Sequence, residues 1–128
     1  MTIATLRPDG WPQAITVGYA NEDLMLYFLC GPDSQNAANL ARDDRVSLTI
    51  DDDAPQVMAI SGLSMAARAR PVIRPEEAEK ALQLLMRRYP PQESFSLSMP
   101  TPADVRVFRV IPTVISVLDY SKGSDIRI

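Results

Sequence analysis

Ser34, Gln35 and Asn36 open a helix-forming stretch and are the residues of this 128-residue chain best equipped for chemistry. A helix start exposes free backbone N–H groups and a partial positive charge, a setting suited to an anion. The Ser34 hydroxyl and the two carboxamides add side-chain donors there. Ser34 also satisfies the simplest structural role at that place, an N-cap, with Asp33 as the alternative cap. Asn39, one turn further on, reads as a helix polar or as a pin to a neighbouring loop. Cys30 is the only cysteine, so an intrachain disulfide is excluded, and with no histidine in the chain its thiol has no imidazole to activate it. The same lack of histidine excludes Ser-His-Asp and Cys-His hydrolases and leaves no ligand set for zinc. Asp51, Asp52 and Asp53 are adjacent rather than spaced as in a calcium loop, and read as a solvated turn. An enzyme built from this inventory leaves the difficult chemistry to a cofactor.

Composition bounds the rest. Hydrophobic residues make up 46% and charged residues 23%, which is ordinary for a single globular domain spanning 1–128. Thirteen Lys and Arg against sixteen Asp and Glu give a net charge of −3. No basic stripe interleaves with aromatics, so nucleic acid is not an expected partner. No apolar run reaches the roughly 18 residues of a membrane span, and the N-terminus lacks a basic segment followed by an apolar one. The expected setting is cytoplasmic, with no membrane partner.

The elements that must position these residues are short and bounded by prolines and glycines. Pro8-Asp9-Gly10-Trp11-Pro12 predicts the turn of a hairpin between Thr2–Arg7 and Gln13–Tyr19. Asn21-Glu22-Asp23 predicts the next turn. Leu24 to Cys30 is an unbroken apolar run, so both faces of that strand are expected to be covered, one by a barrel interior and the other by a helix or a second subunit. Ser34–Arg42 predicts a short helix with Ala37, Ala38, Leu40 and Ala41 as its apolar positions. Val46, Leu48 and Ile50 alternate with polar residues, as a half-buried strand should. Gln56–Ala69 predicts a long strand with a bulge, or a close approach to the backbone, at Ser61-Gly62. Pro75–Tyr89 predicts an amphipathic helix with acidic residues at its start and arginines at its end. Gln92–Thr101 reads as a loop. Val105–Ile111 and Val114–Leu118 read as two strands bent at Pro112, and Lys122–Ile128 as a polar tail. Six or seven strands in mostly antiparallel order suggest a small barrel.

Three stretches carry a resemblance. Ala4–Pro12, Leu26-Tyr27-Phe28 and Ser34–Leu48, in that order, are similar to the pyridoxamine 5'-phosphate oxidase-like family of FMN-binding split barrels. Ile60–Ser64 and Ile111–Tyr120 resemble later parts of its short members. The resemblance implies a mainly β fold, a six-stranded antiparallel split β-barrel with flanking helices, and a homodimer with FMN at the subunit boundary. It also implies a flavoprotein oxidoreductase acting on an unidentified small molecule. The expected cofactor-binding residues are Gln13, Thr16 and Val17 on the second strand, Leu29 and Cys30 before the helix, Ser34, Gln35, Asn36 and Asn39 on it, Gly62 against the ring, and Arg68 from the side. No catalytic side chain and no metal is expected. Asn36 stands where family members commonly have Lys or Arg, and Gln13 where some place Arg. The alternatives are a split-barrel dimer without tight flavin binding, serving as a ligand-binding or structural module, and a member using a deazaflavin. A haem would find only Cys30 or a tyrosine as ligand.

Overall fold

In the computed structural model, described here for residues 1–52, 55–90, 104–122 and 124–127, the hairpin forms where the turn chemistry places it. Strands β1 (Thr2–Leu6) and β2 (Pro12–Thr16) pair antiparallel, with Ala4 opposite Ala14. Gly10 takes a positive φ of 84° at the turn, and the Asp9 carboxylate accepts from the Trp11 N–H. Strand β3 (Ala20–Glu22) is a short addition to the expected pattern, formed by residues read as part of a turn. Strand β4 (Met25–Cys30) follows. Helix α1 (Gln35–Arg42) leads into β5 (Arg45–Asp52), a 3-10 turn at Val57–Ala59 and β6 (Ser61–Pro71). Helix α2 (Pro75–Arg88), β7 (Arg106–Asp119), a second 3-10 turn (Tyr120–Lys122) and β8 (Ser124–Arg127) complete the chain.

All strands join one antiparallel sheet in the order β2-β1-β5-β6-β7-β4-β3, with β8 beside the far half of β7. The fold is mainly β and is that of a split barrel. Among the described residues the count is eight strands, not six, and β2 and β3 at the two ends of the order do not pair with each other, so the sheet is curled rather than closed. The extra strands are β3 and β8; β8 occupies part of the polar tail, which gave no apolar signal.

The inner face holds the core. Ile3, Leu26, Phe28, Val46, Leu48, Met65, Phe108 and Val110 pack together, with the Phe28 and Phe108 rings stacked at 5.4 Å. The apolar run of β4 is explained by its two covered faces. Leu26 and Phe28 enter the barrel core, while Tyr27 points outward to a second cluster with Ala78, Ala81 and Leu82 of α2. Helix α2 begins at Pro75 with Glu76 and Glu77 in its first turn and ends with Arg87 and Arg88, as the dipole favours. Its C-terminal end docks on the segment between β2 and β3: the Tyr19 N–H donates to Tyr89 Oη at 3.2 Å, and the Arg88 guanidinium lies 4.2 Å from the Tyr19 ring centre.

Several local expectations change. Val105–Ile111 and Val114–Leu118 are one strand, β7, continuous through Pro112. Pro112 falls in the gap between β4, whose partners on β7 end at Val110, and β8, whose partners begin at Ser116. The N–H it lacks therefore breaks no ladder on that edge. The β6–β7 pair does carry a bulge, but at Thr113 of β7, opposite Ala66 and Ala67, where the Thr113 hydroxyl donates to the Ala66 carbonyl, and not at Gly62. The long strand starts at Ser61, after the 3-10 turn. Asp51 and Asp52 belong to β5 rather than to a turn, while Asp53 and Ala54 lie outside the described residues, as does the expected loop Gln92–Thr101. Among the described residues no helix is long and apolar enough to cross a membrane, and no group of side chains has the makings of a metal site.

Candidate functional site

Helix α1 packs against β1, and two of its three buried residues are polar. Ser34 caps it, accepting from the Ala37 N–H at 3.2 Å while donating to the Gly31 carbonyl at 2.8 Å. Asn36, Asn39 and Leu40 are the buried residues of the helix, whereas Ala38 and Ala41 are exposed. The helix is thus rotated from the orientation its alanines suggested. The reason is a hydrogen-bond network that the sequence could not display, because three of its four bonds join residues 26, 31 and 34 apart in the chain.

The network centres on Asn39, which is fully buried. Its Nδ2 donates to Thr5 Oγ1 at 3.0 Å and to Gln13 Oε1 at 3.2 Å, and its Oδ1 accepts from Gln35 Nε2 at 2.8 Å. Thr5, also fully buried, donates in turn to Asn36 Oδ1 at 3.1 Å. Asn36 Nδ2 is buried without a partner. Burying these amides is tolerable only because almost every polar atom is matched. Thr5 on β1 gave no signal as a site residue; a polar side chain at an inward position of a strand, two residues after Ile3, was the available clue.

Gln13 and Gln35 carry the network to the surface. With Arg7, Pro8 and Asp9 they line a recess of about 400 Å³ at the hairpin–helix junction. Arg7 is paired with Asp9 at 2.7 Å, so the recess holds one cation and one anion. Arg42, in the last turn of α1, donates to the Leu6 carbonyl and ties the helix to the same hairpin.

The expected site residues fall into separate groups. Gln13, Gln35, Asn36 and Asn39 meet in the network. Ser34 lies on the other side of α1, in a groove of about 460 Å³ shared with Asp33, Ala37, Arg106 and Phe108. Cys30 is beside it: burial pushes its thiol above the ordinary range, partly offset by the Ser34 hydroxyl and the Arg106 guanidinium. A raised thiol is protonated and unreactive at neutral pH. Val17 packs against the barrel core and Leu29 against the α2 cluster. Thr16 is exposed, at the end of β2. Arg68 is on the outer face with Arg70, both paired to Asp44, at 2.6 and 3.1 Å. It lines a smaller groove of about 350 Å³ with Ala4, Pro12, Ser47 and Ala66. Gly62 is accounted for by the sheet itself: a Cβ there would meet the Ile50 carbonyl at 2.7 Å and Asp51 Cα at 2.9 Å. Among the described residues the implied site residues are thus divided between separate recesses, and Asn36, expected to donate to an anion, instead turns inward to Thr5.

Comparison with known proteins places the chain. The model of the pyridoxamine 5'-phosphate oxidase family matches residues 1–119. The chain belongs to that family. Solved structures of the same fold include the conserved hypothetical protein Rv2991 from Mycobacterium tuberculosis, 27% identical over 94% of this chain and 77% of that one, with a TM-score of 0.79. An F420 reductase is 25% identical over 90% of this chain and 86% of its own, with a TM-score of 0.68. A heme binding protein from Mycobacterium smegmatis, 18% identical, has a TM-score of 0.75 over 99% of this chain and 51% of its own. No curated protein sequence matches the chain. The pyridoxamine 5'-phosphate oxidase family member described here thus shares its split barrel with proteins named for different cofactors.

Proposed function

We propose that this chain is a cofactor-dependent oxidoreductase that binds a flavin-class cofactor, FMN or a deazaflavin, and acts on a small molecule. The observation that carries the reading is the convergence of Gln13 from β2 with Gln35 from α1 at one recess, both held by the buried Asn39, in a member of this family. Carboxamides held by a buried asparagine are suited to orienting a flat heterocycle, and the chain has no histidine or activated cysteine to do chemistry of its own. When bound, the cofactor supplies electron or hydride transfer. The chain's part is to bind it, orient it and exclude water. The existence of an F420 reductase with this fold favours keeping a deazaflavin beside FMN. A haem finds less here: Cys30 is half-buried and raised in pKa, so it is a poor thiolate ligand.

The recess is open on its outer side, and Trp11, 70% exposed at the tip of the same hairpin, offers a large apolar surface to a second copy. The reading therefore includes a homodimer that completes the site. Titration of the purified chain with FMN and with a deazaflavin, followed by fluorescence quenching and the visible band, tests the cofactor. Saturable binding of either supports the reading; a colourless protein that shifts neither spectrum rejects it. Light scattering tests the dimer, and a monomer at micromolar concentration removes that part.

A further inference from the structure

Arg106 holds an inward register position without a partner. It stands directly opposite Cys30 in the β4–β7 pair, as Phe108 stands opposite Phe28. Residues two apart on a strand share a face, and Phe28 and Phe108 belong to the barrel core. Arg106 therefore sits on the core side of the sheet, at the start of β7. Such positions are ordinarily filled by apolar side chains or by charges with a partner. Arg109, on the other face of the same strand, has one in Glu77. Arg106 has no ion pair and no side-chain hydrogen bond among the described residues.

Arg106 lines the groove of about 460 Å³ beside α1. Asp33 is the other charged residue of that lining, and it too has no ion pair or side-chain hydrogen bond among the described residues. The two do not pair with each other. Much of the remaining wall is apolar, with Ala37, Ala38 and Ala41 of α1 and the Phe108 ring. No lining residue is shared with the Gln13–Gln35 recess. One unpaired charge of each sign makes the groove selective. A simple anion drawn to Arg106 is repelled by Asp33, and a simple cation drawn to Asp33 is repelled by Arg106. A molecule carrying both signs meets both residues through charge-assisted hydrogen bonds, and an apolar body covers the alanine wall.

We infer that this groove binds a small zwitterion with an aliphatic body, an aliphatic α-amino acid, with its carboxylate on Arg106, its ammonium on Asp33 and its side chain against Ala37, Ala38 and Ala41. The site is separate from the recess, and its occupancy does not depend on a cofactor.

The test uses the whole chain labelled with 15N and L-leucine as the probe, set against isocaproate, which lacks the ammonium, isoamylamine, which lacks the carboxylate, and glycine, which lacks the aliphatic body. The Arg106 Nε–H signal and the backbone amide signals of Ala37, Ala38 and Ala41 are followed by NMR. Leucine is expected to shift them saturably and to bind about tenfold tighter than isocaproate or isoamylamine, the value of one charge-assisted hydrogen bond. Glycine is expected to bind more weakly than leucine, for want of apolar contact. Arg106→Gln and Asp33→Asn change exposed side chains that have no bond to lose, so the circular dichroism of both variants should match the parent's. Arg106→Gln should lower the affinity for leucine to that of isoamylamine, and Asp33→Asn to that of isocaproate. No saturable shift at millimolar leucine, isocaproate or isoamylamine binding as tightly as leucine, or an affinity for leucine unchanged in either variant overturns the inference. So does leucine that moves the side-chain amide signals of Gln13 and Gln35 while leaving those of the groove in place.

Discussion

The Tyr27 hydroxyl, on a residue only 2% exposed, donates to Glu77 Oε2 at 3.0 Å and so joins the outer face of β4 to the first turn of α2. Burial, then the hydrogen bond and charge of Glu77, push Tyr27 up to about 12. Tyrosine ionises near 10 in an unfolded chain. Between those values the folded state keeps a proton that the unfolded state has lost, so stability falls as pH rises from about 10 to about 12. Tyr27→Phe is expected to flatten that alkaline decline, while at pH 7 it removes one hydrogen bond and destabilises by about 1 kcal/mol. Urea unfolding at a series of pH values checks both effects.

Glu77 also accepts twice from Arg109 Nη1, at 3.0 and 3.1 Å, while Arg109 Nε is buried with no partner. Removing the carboxylate strands a half-buried guanidinium already short of one hydrogen bond. Glu77→Leu should therefore destabilise by about 2 kcal/mol, and the double variant Glu77→Leu with Arg109→Leu should recover part of that loss. Thermal denaturation of the two variants decides it; a double variant less stable than the single one would contradict the account.

Asn39 is the one residue whose change should disturb fold and recess together. Asn39→Ala leaves Thr5 and both glutamines without their shared partner and opens a small void, an expected loss of about 2–4 kcal/mol. Asn39→Asp keeps the volume but, ionised, cannot donate to Thr5 or Gln13. Its stability should rise as pH falls and the buried carboxyl takes a proton, because its pKa is expected to lie above that of an unfolded aspartate. Stability of this variant that falls steadily with pH below neutrality would count against the network.

Two glycines give a matched contrast. A Cβ at Gly62 collides with backbone at 2.7 Å, and backbone cannot swing aside as a side chain can, so Gly62→Ala should lose about 1–3 kcal/mol. Gly31 has nothing within 4 Å of its added Cβ, and Gly31→Ala should stay within about 0.5 kcal/mol of the parent. Chemical denaturation ranks the pair.

At the acid end, hydrogen bonds from the Arg45 side chain and N–H draw Asp43 down to about 2, and its contribution exists above the unfolded value near 4. It is lost as pH falls through 2. Asp43→Asn should reduce the acid sensitivity of unfolding in that window, which circular dichroism during acid titration measures.

Local chemistry was enough to write much of the fold into the sequence. The Pro8–Gly10 turn, the Ser34 cap and the amphipathic stretch from Pro75 each depend on residues within a few positions of one another. The unbroken run of β4 announced two covered faces because any single wet face would have demanded a polar residue at every other position. The resemblance carried the split barrel. What the tertiary structure alone decided is where polar side chains spend their hydrogen bonds. Asn36 and Asn39 could have faced solvent or a ligand; they face Thr5, 31 and 34 residues away. Arg68 could have reached toward a cofactor; it is held by Asp44 across the β5–β6 pair. Pro112 looked like a break until two short strands left it a gap on the sheet edge. Propensity and periodicity are properties of neighbours in the chain, whereas a hydrogen bond between distant residues exists only after the sheet has formed and α1 has packed on its first hairpin.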